Sequence, residues 1–577
     1  MNHPELISTP VLIIGAGAAG LRTALELVAN GQDCLVVGKR RHGDAHTVWA
    51  AGGINASLGN RDPEDRWAIH AADTIKEGHY VCDPGAVELL ARHAAERVLE
   101  LQGWGCPFNL TEEGEIDQRY FGAQSYRRTC FVGDTTGRAI LDTLVARAKA
   151  LEVPYRQNLF VTRLLAWEGR VVGAFGIDLD GGRPVAIEAG AVVLAAGGHT
   201  SLYLRGSSRP DENTGDAVAL AYAAGAELRD MEFVQFHPTG MVKPEERAGK
   251  LVTEAVRGEG GHLLNRDGER FMARYSPKGM ELDARDVVAR AIYSEIRNGR
   301  GTESGAVLLD ISHRGRAFLE ERLPEMLRQF AELGVDISRE PVEVAPTAHY
   351  AMGGVRVDFR TGASTVPGLF AVGEATAGVH GANRLGGNSL VETLVFGQLT
   401  GRHLLGALEE APAPGVGAAL VEEETSTLEA LLRGGGEHRP NELIAELREL
   451  LWDHAGIVRD EHDLKRGLAR LEALSERARS LALAGGSRSP DLVAALNLRF
   501  MLPAAEAILR GALMRAESRG AHYRSDATGT LEEWTKSIVY AEQDGRMSLR
   551  TEALGEVSPD IQRALDEHHS LDYHHLE

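Results

Sequence analysis

Cysteine is scarce in this 577-residue chain: Cys34, Cys82, Cys106 and Cys130 stand far apart, with no CxxC pair among them. Such spacing argues against a disulfide framework or a self-contained zinc or iron–sulfur site, and fits small buried hydrophobes. No apolar run approaches the ~20 residues that span a bilayer, so unaided membrane insertion is not expected. Positive charge is in deficit, with 62 Lys and Arg against 83 Asp and Glu, a formal net charge of -21. Phosphate backbones need a basic face, so nucleic acid is not an expected partner, and an anionic ligand requires a locally basic pocket. Met1 to Pro10 lack a basic stretch followed by an apolar one, which places the expected location in the cytoplasm.

What the chain does contain begins at Val11. Val11-Leu-Ile-Ile14 reads as a strand, Leu21 to Ala29 as a helix and Cys34-Leu-Val-Val37 as a second strand. Between the first strand and the helix, Gly15, Gly17 and Gly20 form GxGxxG. The first glycine permits the tight turn, the second lets a pyrophosphate approach the backbone, and the third lets helix and strand pack closely. A dinucleotide site often has an acid at the end of the second strand, where this chain reads Val37-Gly38-Lys39-Arg40. That basic end suits an NADP 2′-phosphate, or a flavoprotein with other ribose contacts, and the motif does not choose.

Two later strand-like runs, Ala191 to Ala196 and Gly368 to Val372, each end in glycine and suit the same sheet. The nucleotide-binding domain is then discontinuous, with residues from Met241 to about Tyr350 inserted. Beyond about Gly415, Ala- and Leu-rich stretches with charges at helical spacing predict a helical domain. Ala411–Gly417 and Gly434–Pro440 read as linkers.

Seven segments, in order, carry a resemblance: 45-AHTVWAAGGIN-55, 233-FVQFHPTG-240, 251-LVTEAVRGEGG-261, 284-ARDVVAR-290, 349-HYAMGG-354, 380-HGANRLGGNSL-390 and 518-SRGAHYR-524. Together they make the chain similar to the flavoprotein subunit of succinate dehydrogenase and fumarate reductase, and to its soluble relative L-aspartate oxidase. The resemblance implies an α/β fold: a Rossmann-like FAD-binding domain (1–240 plus 355–414), an inserted α+β capping domain (241–354) and a C-terminal helical region (415–577).

It also implies site residues. A dicarboxylate calls for a group of donors at each end. By resemblance His237 and Thr253 form one clamp, His349 and Arg384 the other, and Phe121 packs beside the substrate. The implied reaction passes a hydride between a methylene carbon and flavin N5. Arg285 matches the residue assigned the accompanying proton, and Glu254 and Arg257 match its relay. Gly15, Gly17, Gly20, His46, Gly215, Asp216, Glu374, Ser389 and Leu390 are implied in binding FAD. In the respiratory enzymes a histidine at the place of His46 is joined covalently to the flavin.

His46 and the segment Phe121-Gly-Ala-Gln-Ser125 favour the respiratory type over aspartate oxidase, which makes iminoaspartate. Ala51 departs from the family, whose members usually place Gln or Glu there. With no metal site and no membrane span of its own, the chain is expected to partner a separate iron–sulfur subunit, together with a membrane anchor that would hold it peripherally on the inner face of the cell membrane.

Overall fold

A computed structural model describes residues 4–408, 418–433, 435–484 and 489–567. The expected linker Ala411–Gly417, and Gly434 of the other, lie outside the described residues.

Strand β1 (Glu5–Ile14) runs through the GxGxxG turn into helix α1 (Ala18–Ala29) and then strand β2 (Leu35–Val37). β1 pairs in parallel with β2, Ile14 opposite Val37. On its other side it pairs in parallel with β3 (Arg183–Leu194), Ile14 opposite Leu194. β3 in turn pairs in parallel with β4 (Leu369–Ala371), Leu194 opposite Ala371. These strands thus end level with one another around one crevice, the usual ligand position of an open parallel sheet. Val11, Leu12, Ile13, Val36, Val192 and Val193 have no exposed surface. Such β-branched and leucine runs suit strands covered on both faces.

A second sheet lies between the first sheet's strands in sequence. Val234–Met241 pairs antiparallel with Val342–Ala351, which is followed in the sheet by Val307–Asp310 and His262–Leu264. Towards the C-terminus the helices Pro440–Ala455, Glu461–Arg477 and Pro490–Met514 pack on one another. Pro490–Met514 is long and apolar enough to cross a membrane by length and composition, but 72% of its apolar window is buried within the chain. Leu496, Leu498, Met501, Ile508 and Leu509 commit that hydrophobicity to the core.

The C-terminal region also holds a hairpin, Lys536–Gln543 with Arg546–Ala553, that pairs on Leu228–Arg229. A reading of helical character alone misses it. Its turn is Asp544-Gly545, both at positive φ (52° and 76°), the pair that two-residue hairpin turns favour.

Candidate active site

Two cavities meet near Trp49, Ala50 and His349. The first lies at the ends of the parallel strands and is lined by Gly15, Gly17, Lys39, His46, Asn213, Asp216, Glu374, Ser389 and Leu390. Gly15 has φ +116°, and a Cβ there would run into the Ala195 carbonyl. Gly20 does not line the cavity; a Cβ on it would strike the Gly15 carbonyl, so it serves the close packing of helix on turn. Gly215 is likewise off the wall. At φ 82° it is the N-cap of the helix Asp216–Ala223.

The basic end of β2 is neutralised from within. Lys39 Nζ lies 2.7 Å from Asp216 Oδ2, and Arg40 pairs with Asp44, Asp211 and Glu212. Neither cation is left unpaired to await a 2′-phosphate, so the structure favours the flavoprotein reading of this motif. Glu374 Oε1 accepts from the Ala351 amide at 3.0 Å, and burial pushes its carboxyl up to about 7. His46 turns Nδ1 towards Glu212 Oε2 at 3.9 Å. Burial raises the Glu212 carboxyl, but His46 and Arg209 outweigh it and hold it at about 2.

FAD fits this cleft. The N-terminus of α1 has the side-chain-less Gly17 as N-cap, and although the Ala18 amide donates to Thr47 Oγ1 at 3.2 Å, the helix N-terminus still suits a pyrophosphate. A Cβ on Gly17 would fill the gap to Thr47 Oγ1, 3.3 Å away.

The second cavity, of about 520 Å3, is lined by Phe121, His237, Thr253, Glu254, Arg285, His349 and Arg384. All four clamp residues expected from the sequence therefore face one space. Arg257 is not on that wall but sits behind it, fully buried.

Strand register assembles the histidines. Gln235 pairs with Tyr350 and Phe236 with Ala348, so His349 is the extra residue of a β-bulge. Bulges re-aim side chains, and here the rings of His349 and His237 meet edge to face at 5.4 Å. His237 Nδ1 accepts from the Thr239 amide at 3.2 Å, which assigns the ring proton of neutral His237 to Nε2. Burial, together with nearby arginines, pushes both histidines well below their usual range, so they are neutral donors. Thr253 caps a helical turn by accepting from Ala255 N at 3.2 Å, which leaves its hydroxyl proton to give.

Three buried arginines face or back this cavity. Arg285 donates from Nε to Glu254 Oε2 at 3.0 Å with its Nη2 2.8 Å from the same oxygen, and Arg257 Nη2 lies 3.7 Å from it. Burial drives the Glu254 carboxyl up, but Arg285 and Arg257 outweigh it and bring it to about 2. Arg384 has no carboxylate partner in the ion pairs found among the described residues. It rests over the Tyr350 ring at 4.6 Å with Nε buried and unbonded, and burial pushes it down to about 10. A buried cation without an anion is costly, and a carboxylate ligand relieves that cost.

Several neighbours were not singled out by the sequence. Tyr350 donates to Glu392, which also meets His380 at 2.5 Å, and this group underlies Arg384. Arg119 donates to the Gly52 carbonyl beside Ala51 and stacks on Phe131 at 4.4 Å. Phe121 is gripped between Gly52 and Gly386, where any Cβ would collide with its ring.

Comparison with known proteins gives the geometry a family. Residues 10–390 match the FAD binding domain model, and 444–562 match the model described as fumarate reductase flavoprotein C-term. The chain belongs to the succinate dehydrogenase and fumarate reductase flavoprotein family. It is an FAD-dependent oxidoreductase of that family. It is 45% identical to the matching chain of the fumarate reductase (CoM/CoB) of Methanothermobacter marburgensis, over 93% of this chain and 97% of that one. It is 37% identical to a succinate dehydrogenase flavoprotein subunit of Rickettsia conorii, over 92% of each. Among solved structures, Mycobacterium smegmatis Sdh1 superposes with TM-score 0.88 at 40% identity, covering 96% of each chain. A quinol-fumarate reductase superposes with TM-score 0.89 at 33% identity, over 96% of this chain and all of that one. These relatives do not favour the aspartate oxidase alternative.

Proposed function

We propose that this chain interconverts succinate and fumarate as the catalytic flavoprotein subunit of a larger assembly. The observation that carries the reading is one cavity that joins two sets of carboxylate donors to the Arg285–Glu254–Arg257 group. FAD in the adjoining cleft supplies the hydride chemistry.

The chain's own residues do the rest. His237 and Thr253 hold one carboxylate, and His349 with Arg384 holds the other, so the reacting carbons lie between fixed ends. The same cations stabilise charge that builds on a substrate carboxylate during transfer. Arg285 exchanges the proton at the neighbouring carbon. Arginine is a weak acid, so the transfer needs direct contact and prompt reprotonation. Glu254 Oε2, shared by Arg285 and Arg257, marks the line along which the proton returns. Phe121 forms an apolar wall that keeps water from the reacting carbons.

His46 lines the FAD cleft, which supports it as the residue that carries a covalent flavin link. Acid precipitation that leaves all flavin in solution removes that part of the reading. Electrons must also pass to or from a partner. Relatives named as one subunit of a fumarate reductase and as a succinate dehydrogenase flavoprotein subunit support a separate iron–sulfur subunit in this role, with a membrane anchor holding the assembly at the inner face.

The test is direct. FAD-loaded protein is mixed in turn with succinate, fumarate and aspartate while flavin absorbance and product are followed. Bleaching by succinate or reoxidation by fumarate supports the reading; turnover of aspartate alone overturns it.

A further inference from the structure

Gln235 lies inside a motif whose histidine attracts the attention, yet its own side chain makes three directed hydrogen bonds with no exposed surface. Arg285 donates from Nη1 to Gln235 Oε1 at 3.2 Å. Guanidinium has no acceptor, so this contact fixes which end of the amide is oxygen. Gln235 Nε2 then donates to Asn383 Oδ1 at 2.7 Å and to the Arg384 carbonyl at 2.8 Å. Asn383, also fully buried, donates from Nδ2 to Glu77 Oε1 at 2.7 Å and to Asp286 Oδ1 at 3.2 Å. Every donor and acceptor in the line has one permitted direction, from Arg285 outward to Glu77.

We propose that Gln235, oriented by Asn383 and Glu77, is a positioning residue that pins the guanidinium of Arg285 to the backbone of Arg384. The inference rests on the succinate/fumarate reading and adds what holds its proton donor in register with its substrate clamp. Glu254 accepts from Nε of Arg285 with Nη2 close to the same oxygen, and Gln235 takes Nη1, so the planar fork is held from two sides. Glu254 alone would leave it free to swing about that shared oxygen. An amide is the suitable second holder, because another carboxylate would add negative charge beside the substrate's own.

Glu77 ends the line from the helix Trp67–Glu77, outside the seven motif segments. Desolvation, and Asp286 beside it, push its carboxyl well above the usual range, and its Oε1 accepts from Asn383 at 2.7 Å. Amide groups relay protons poorly, which makes this a scaffold and leaves proton delivery to Glu254 and Arg257.

The experiment compares Gln235→Met, Glu77→Leu and Glu77→Gln as FAD-loaded holoenzymes in fumarate reduction and succinate oxidation, with crystal structures of each. Gln235→Met is expected to lower kcat by about twentyfold or more with KM within about threefold, because the carboxylate clamps remain while Arg285 loses its register. Glu77→Leu is expected to lower kcat about fivefold, and Glu77→Gln, which keeps the acceptor, to stay within about twofold of wild type. Wild-type kcat in Gln235→Met, or a loss in KM alone, overturns the proposal. Equal loss in Glu77→Gln and Glu77→Leu also overturns it, since that makes Glu77 a proton carrier. Wild-type protein inert to both dicarboxylates sinks the proposed function instead, and the structures then decide. Arg285 unmoved in Gln235→Met refutes the positioning role; a displaced guanidinium supports it.

Discussion

Glu254 Oε2 accepts from Nε of Arg285 at 3.0 Å and lies 2.8 Å from its Nη2, with both side chains buried. A single carboxylate oxygen thereby sets the plane of the guanidinium, and this contact gives the first prediction. Glu254→Gln removes the charge that draws the two arginines together while keeping the shape. The expected result is a kcat lower by about 10²–10³-fold with little change in KM. Steady-state fumarate reduction checks it, with flavin content measured in parallel.

Acid stability offers a second check. The Glu254 carboxyl is depressed to about 2 from an ordinary value of 4.5. A depressed carboxyl stabilises the fold above its unfolded pKa, and that contribution is lost as pH falls through the folded value. The stability gap between wild type and Glu254→Gln should therefore be constant above about pH 4.5 and shrink towards pH 2. Denaturant unfolding at several pH values reads it; a gap that widens on acidification contradicts the ion-pair account.

Of the three buried arginines at the cavity, Arg384 is the one without a carboxylate partner in the ion pairs found among the described residues, so its loss should fall on binding. Arg384→Ala is expected to raise the KM for fumarate by about 100-fold, since a buried charged hydrogen bond at an interface is worth roughly 2–5 kcal/mol. Arg384→Lys should recover only part of that affinity, because lysine lacks the planar fork. Inhibition by malonate, measured on the same variants, should weaken in the same order.

Glu374 bridges the Ala351 amide and Asn213, whose Nδ2 donates at 3.3 Å, on the wall of the FAD cleft. Glu374→Leu should lose those acceptors and weaken FAD binding by about 10–100-fold, about 1.4–2.8 kcal/mol. Fluorescence of released flavin on dilution measures this, and unchanged retention would remove Glu374 from the cofactor site.

Much of this was legible in the sequence because the segments that carry chemistry are contiguous. The GxGxxG turn announces its own geometry, since only glycine tolerates φ +116° against the Ala195 carbonyl. His237 and His349 can be named from their motifs, but the bulge that turns their rings together exists only once two distant strands pair. Gln235, Asn383 and Tyr350 lie within motifs without a signal of their own, because amides and a phenol become informative only when their partners are known. Glu77 gives no local signal at all. The hairpin after Lys536 is masked by a neighbouring helical pattern, although Asp544-Gly545 marks its turn. Lys39 is the reverse case, a basic residue whose meaning changes once Asp216 is found beside it.

The grip of Gly52 and Gly386 on Phe121 links three positions from distant parts of the chain through one ring. Substitution at any of them is then not an independent event: an alanine at 52 or 386 can be accommodated only with a smaller side chain at 121. In an engineered or diverging lineage these three sites should change together or not at all, and a widened pocket for bulkier acids is reached through such a concerted exchange.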